Sequence, residues 1–269
     1  MRLDDVRGFV FDVDGTLVHR DGATAHVIPG AREVLERIRE SGRPFAIFTN
    51  GSHVPPAEFA RGLRDVGLPV EDEQMLTPLC SVQAYLARGR RGATVLPFVT
   101  DSAREYLVES GLNLVGPEEA RKADAVFVAH IDHADLPELE QAARAVIGGA
   151  RLLTGSYVAA YAGANGPILS RGAMVTAAIA KASGARPTIV GKPSQAAVRA
   201  VRRALGVPTE EIAVIGDDLG MDVALGHMGG SKTVLVRSGI SATIDLERVP
   251  EKRRPHATIE NSAELLDWL

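Results

Sequence analysis

The sequence predicts an α/β fold: a doubly wound parallel sheet carrying a second, inserted α/β domain. Three observations predict it. Short apolar runs alternate with amphipathic stretches at helical spacing along the whole chain. Runs such as 8–11, 45–48 and 212–215 are apolar at every position, as in a strand covered by helices on both faces of a parallel sheet. The pattern restarts near residue 93. Residues 81–188 therefore read as an α/β unit of their own, set into an outer unit of 1–80 and 189–269.

The first strand, 8–11, ends in Asp12-Val13-Asp14-Gly15-Thr16. Burying an unpaired carboxylate is costly, and two close together need a cation or a retained proton. A turn at Asp14-Gly15 lets both carboxyls converge beyond the strand end, where ligands sit in open α/β sheets. An acidic turn is the plain alternative, but Asp-x-Asp-Gly-Thr after four apolar residues is a rarer pattern. Residues 19–27 read as a polar loop. Pro29-Gly30 opens a helix over 31–40, with Val34, Leu35 and Ile38 on one face, and Ser41-Gly42 stops it.

The run 44–48 is the second strand, ending in Thr49-Asn50-Gly51-Ser52. Hydroxyl, amide and backbone N–H groups there suit an anion, and equally suit a turn or a helix N-cap. Helices follow over 56–66 and 79–87. In the inserted unit, strands read at 93–99, 125–129 and 151–154, and helices at 102–109, 136–147 and 172–182. His130-Ile131-Asp132-His133 follows a strand rather than lying on one helix, which favours a polar loop over a metal site. Thr154-Gly155-Ser156-Tyr157 suits either a substrate contact or a turn with a packed tyrosine.

Residues 188–190 read as a strand of the outer unit, with Gly191-Lys192-Pro193-Ser194 at its end. A lysine placed there can serve a phosphate as a point charge, although most lysines are simply exposed. The strand 212–215 ends in Gly216-Asp217-Asp218-Leu219-Gly220-Met221-Asp222, an acidic loop fit for a hard cation or for plain solvation. A short helix over 223–228, strands at 232–237 and 257–259, and a closing helix over 263–269 complete the chain. Sheet topology would bring the four polar strand ends to one edge. Carboxylates, one lysine and small polar donors together describe a Mg²⁺ and phosphate site.

Composition narrows the classes. Of 269 residues 45% are hydrophobic and 24% charged, and the net charge is −4. Basic residues are scattered, and the cluster Lys252-Arg253-Arg254 stands beside Glu247 and Glu251, so no nucleic-acid footprint is expected. Cys80 is the one cysteine, which excludes a disulfide within the chain; it reads as a small buried residue at a helix start. The N-terminus lacks a basic region with a long apolar run, and no window reaches ~18 apolar residues. No leader and no membrane span are expected, and a cytoplasmic setting is.

With Asp12-Val13-Asp14-Gly15-Thr16, Thr49-Asn50, Lys192 and Gly216-Asp217 with Asp222 in that order, the chain resembles the haloacid dehalogenase-like (HAD) superfamily of phosphatases. The placement of the insert, with Ile28-Pro29-Gly30-Ala31 and Gly191-Lys192-Pro193-Ser194, resembles the class IIA branch, in which the insert is a cap. The resemblance implies a Mg²⁺-dependent phosphatase of small phosphorylated metabolites. It implies that Asp12 attacks phosphorus and that Asp14 protonates the leaving oxygen, then activates water. It further implies that Thr49, Asn50 and Gly51 bind the phosphate and that Lys192 neutralises charge. Mg²⁺ would be held by Asp12, the Asp14 carbonyl and Asp217, with Asp222 supporting. Dimerisation through the cap is a family-level expectation.

Two departures bear on this. The branch often has Thr-Asn-Asn-Ser where Thr49-Asn50-Gly51-Ser52 stands, and Thr-Asn-Pro-Asp where Thr154-Gly155-Ser156-Tyr157 stands. No particular substrate is therefore implied. A phosphotransferase or phosphomutase would use the same residues. A catalytically silent phosphate-binding protein would show losses among them, and none is lost.

Overall fold

The computed structural model describes residues 3–21, 24–87, 92–161 and 168–269. The chain divides into two compact units. The first comprises Met1–Thr49, Pro56–Leu76 and Lys192–Leu269; the second comprises Asn50–Pro55 and Thr77–Gly191. These limits lie a few residues outside the 81–188 read from the sequence, and the short segment Asn50–Pro55 goes with the second unit.

The first unit is built on a six-stranded, all-parallel sheet. Its order is Ala257–Ile259, Lys232–Val236, Ile212–Gly216, Gly8–Phe11, Phe45–Phe48, Met75–Leu76. The central strands Gly8–Phe11, Phe45–Phe48 and Ile212–Gly216 are buried at every position, which explains why they read as unbroken apolar runs. The helix Ala31–Glu40 buries Ala31, Val34, Leu35 and Ile38. Each large apolar side chain so buried is worth about 1.5–3 kcal/mol. Its last turn carries Arg37 and Arg39, which complement the C-terminal end of the helix dipole.

The second unit has its own parallel sheet, ordered Thr188–Ile189, Arg151–Thr154, Ala125–Val128, Thr94–Phe98, Asn113–Leu114. Helices Pro78–Leu86, Asp101–Glu109, Leu136–Ile147 and Arg171–Ser183 accompany it. Leu136–Ile147 starts with a capping box, Asp135 and Glu138 exchanging hydrogen bonds with each other's backbone N–H. A core of Leu96, Phe98, Val126, Val128, Leu152 and Ile179 lies within this unit.

Several expectations are corrected. Thr188–Ile189 pairs with Arg151–Thr154 and so belongs to the second unit's sheet, not to the outer one. It is an exposed edge strand, and so short an apolar run does not specify which sheet it joins. Residues 19–27 are not simply loop: Val18–Asp21 and Thr24–Val27 pair antiparallel, with Val18 opposite Val27 and His19 opposite His26; residues 22–23 lie outside the described residues. The alternation is present in Thr24-Ala25-His26-Val27 but spans only four residues, too short to separate a strand from a loop. Cys80 is only half-buried, its Sγ 3.6 Å from the Tyr106 hydroxyl. The closing segment Ser262–Asp267 is 3₁₀, and a π-type turn over Leu219–Val223 precedes the helix Ala224–Gly229. Among the described residues no helix is long and apolar enough to cross a membrane.

Candidate active site

Strand register sets the site within the first unit. Phe11 lies opposite Ile215 on one side and Ile47 on the other. Asp12 therefore leaves the sheet level with Gly216 and Phe48, and Asp217 and Thr49 follow one residue later. The Asp12 amide donates to the Ile215 carbonyl at 2.9 Å, holding the first acid against the strand that delivers the second.

Lys192 arrives by a different route. It does not end a strand of this sheet but opens the return from the second unit, just ahead of the helix Gln195–Leu205. Ser194 caps that helix by accepting the Ala197 N–H, and the helix packs on Gly8–Phe11 and Phe45–Phe48. Lys192 Nζ thereby donates to Asp12 Oδ1 at 2.6 Å and to Asp222 Oδ1 at 2.7 Å, and lies 5.6 Å from the Phe48 ring centroid. Its side chain is 3% exposed and that of Asp222 is 2%.

Asp222 stands on the π-type turn. Its Oδ2 accepts the Asp218 N–H at 3.1 Å, so both of its oxygens are engaged by protein donors. Gly216 must lack a Cβ, because the Asp222 carboxyl lies where one would be. Asp218 holds the turn itself, since its Oδ1 accepts the N–H groups of Gly220 and Met221 and caps it.

The electrostatics follow from two buried carboxylates and a third, Asp12, that is mostly buried, around one ammonium. Burial pushes the Asp12 carboxyl up, against the pull of Lys192. Burial, then the charge of Asp12, pushes Asp217 up to about 7. Burial raises Asp222 as well. Burial alone would lower Lys192, but the carboxylates of Asp12 and Asp222 outweigh it and raise the ammonium above its usual value. Three acids against one cation in a site of low dielectric therefore favour retained protons or a second cation.

Oxygens of Asp12, Asp217 and Asp222 lie within 4.8 Å of one another, and among the described residues this is the one group of acids, histidines or cysteines close enough to share a cation. The donors are all carboxylates, which suits a hard cation such as Mg²⁺. Asp222 is taken by Lys192 and the Asp218 N–H, which leaves Asp12 and Asp217 as the side chains that could hold one. One or two carboxylates is the usual protein share for Mg²⁺.

Asp14 is placed apart from this cluster. Its side chain is 55% exposed against 14% for Asp12, and its Oδ1 accepts from Arg20 Nε at 2.6 Å. Arg20 belongs to the antiparallel pair that the sequence hid. Thr49 is buried and its N–H donates to the Leu76 carbonyl. Asn50 and Gly51 fall in the second unit, where Asn50 Oδ1 occupies the place a side chain on Gly191 would take. Also in that unit, the His130 N–H donates to Ser52 Oγ, its ring lies edge-on to His53, and Asp132 pairs with Arg171, as expected of a polar loop. Thr154 is buried and bonded to Ser156 and Thr176, while Tyr157 is exposed.

The chain is similar to known proteins in sequence and fold. Residues 9–113 match the family described as haloacid dehalogenase-like hydrolase, and residues 189–265 match the HAD-hydrolase-like family. The chain is similar to the dihydroxyacetone phosphatase of Corynebacterium glutamicum, 27% identical over 96% of this chain and 90% of that one. It is similar to the ribonucleotide monophosphatase NagD of Escherichia coli, 27% identical over 91% of this chain and 93% of the relative. Its fold matches the crystal structure of 4-nitrophenylphosphatase from Thermotoga maritima with a TM-score of 0.87 and 26% identity, over 98% of each chain.

Proposed function

Because the chain belongs to the class IIA phosphatases of the haloacid dehalogenase-like hydrolases, we propose that it hydrolyses a small phosphate monoester with Mg²⁺, through an aspartyl phosphate on Asp12. The observation that carries this is the buried ammonium of Lys192 fixed between Asp12 Oδ1 and Asp222 Oδ1. That contact orients the Asp12 carboxylate, and the lysine's charge stands beside the position a transferring phosphoryl group would take.

The Asp12 carboxylate attacks phosphorus as the ester P–O bond breaks. Asp14 gives its proton to the departing alkoxide. Asp14 then takes a proton from water, whose oxygen attacks phosphorus, and the bond to Asp12 breaks to release inorganic phosphate. Thr49, Asn50 and Gly51 bind the non-bridging oxygens. Asp12, Asp217 and the Asp14 carbonyl would hold the cation, which would supply positive charge against the phosphoryl group. Asp222 holds Lys192 in place.

The relatives named above are a dihydroxyacetone phosphatase, a ribonucleotide monophosphatase and a 4-nitrophenylphosphatase. Those names share the phosphate and differ in the group that carries it. Leaving-group choice therefore belongs to the second unit, here assigned as a cap that shields the first step from water. Dimerisation through this unit and a cytoplasmic location complete the proposal.

The test is phosphate release with Mg²⁺ from a panel of small esters, nitrophenyl phosphate included, with Asp12→Asn as the blank. Hydrolysis that the blank lacks supports the assignment. Turnover of Asp12→Asn near that of the unmodified enzyme sinks it. Transfer to an added alcohol in preference to water would move the assignment to a phosphotransferase.

A further inference from the structure

The loop 238–241, which follows the strand Lys232–Val236, is outside the four motifs yet wraps the second carboxylate ligand. The Ile240 N–H donates to Asp217 Oδ2 at 2.6 Å, a short charge-assisted bond. The Ser241 N–H donates to the Asp217 carbonyl at 3.2 Å, and Ser241 Oγ accepts the Leu219 N–H. Ser238 Oγ donates to the Gly15 carbonyl at 2.7 Å, in the turn that carries Asp12 and Asp14. One four-residue loop is thus bonded to both acid-bearing turns. Arg237 closes its base, donating from its guanidinium to the Ala242 and Ile244 carbonyls.

Steric room on this side is also consumed. A methyl group on Gly239 would overlap Oδ2, Cγ and Cβ of Asp217, and one on Gly15 would overlap Oδ2 and Cγ. Gly15 has a positive φ of 78°, so a side chain there is strained in any case. Gly239 has no such φ, and the obstacle a methyl group meets there is the Asp217 side chain. Oδ2 is therefore enclosed by two glycines and capped by one N–H, which leaves Oδ1 as the oxygen open to a ligand.

We propose that the loop 238–241 is a positioning clamp for the cation: it commits Asp217 Oδ2 to the Ile240 N–H and presents Oδ1 alone as a one-oxygen ligand. This rests on the Mg²⁺ site assigned above. A one-oxygen carboxylate suits a small cation that keeps an octahedral shell with several waters. Outer partners that orient a ligand in this way typically govern roughly ten- to a hundredfold in metal affinity.

Gly239→Ala tests it directly, because the added methyl must displace Asp217. Mn²⁺ is the probe, with free Mn²⁺ followed by electron paramagnetic resonance on the full chain, alongside the melting temperature without metal. The unmodified protein should bind one Mn²⁺. Gly239→Ala should bind it roughly ten- to a hundredfold more weakly, while a cooperative metal-free melting transition, lowered by the displaced side chain, shows that it is folded. Ser238→Ala, which releases the loop from Gly15 without entering the site, should weaken Mn²⁺ in the same direction by a smaller factor and stands in if Gly239→Ala does not fold. Unchanged Mn²⁺ affinity in the folded variants overturns the clamp while leaving the metal site intact. Absence of Mn²⁺ binding by the unmodified protein overturns the metal site and the clamp together.

Discussion

Asp12 and Asp14 come from one motif, two residues apart, and end in opposite surroundings. Asp12 is 14% exposed and bonded to a buried lysine; Asp14 is 55% exposed and paired with Arg20 on an antiparallel hairpin. The first environment has a low dielectric, three acids and one ammonium, so charge is strongly coupled there. The second is open to water. The chain bends at Val13 between them, and Asp14 forms a bridge to Val18. Under the mechanism proposed above, the nucleophile would sit in the first setting and the proton carrier in the second.

The contrast breaks most severely at Lys192. Replacing it with alanine leaves Asp12 and Asp222 buried without their shared partner. Removing one side of a buried pair costs about 3–5 kcal/mol. Urea denaturation of Lys192→Ala should show a loss of that order together with loss of phosphatase activity. A loss under about 1 kcal/mol, the range of exposed pairs, would mean the cluster is not electrostatically coupled as described.

Removing divalent cations sharpens the same contrast. Burial pushes Asp217 up to about 7, and Asp222 upward too, so the folded protein retains protons that the unfolded chain releases above about 4. The native state then binds more protons than the unfolded one, and stability falls as pH rises through that window. The melting temperature in EDTA should drop from pH 5 to pH 8, and Mg²⁺ should flatten the drop by supplying the missing positive charge. A melting temperature that climbs over that range without metal would contradict the retained protons.

What the sequence made legible divides along a similar line. The strands 8–11, 45–48 and 212–215 were readable because burial on both faces leaves only apolar residues, and acids at such ends have few purposes. Lys192 is readable as a site residue, but the sequence places its strand in the wrong sheet. Pairing partners of a two-residue edge strand such as Thr188–Ile189 are decided by tertiary contacts, not by local pattern. Arg20 is hard to place because the alternation of its hairpin is short, two apolar residues in Thr24–Val27 among polar ones. Gly239 stood in plain view after its strand, yet its role depends on an Asp217 carboxyl 22 positions earlier in the chain. The backbone N–H of Ile240 carries no sequence signal at all.

The gentlest probe acts on the exposed acid. Asp14→Asn should scarcely change stability, since an exposed pair is worth about 0–1 kcal/mol, yet it should lower turnover roughly 10²–10⁴-fold by removing the proton carrier. Arg20→Gln keeps Asp14 and removes only its partner at 2.6 Å. Its stability effect should stay within the same 0–1 kcal/mol or so, and its effect on turnover should be far smaller than that of Asp14→Asn. The informative readout is the ratio of the two turnover losses in Mg²⁺-saturated assays on one ester. If Arg20→Gln matched Asp14→Asn, the hairpin would be required to hold Asp14 in its working position, and the open side of the site would be as tightly built as the buried one. If it left turnover nearly intact, Asp14 would work as a free carboxylate, and exposure alone would distinguish its role from that of Asp12.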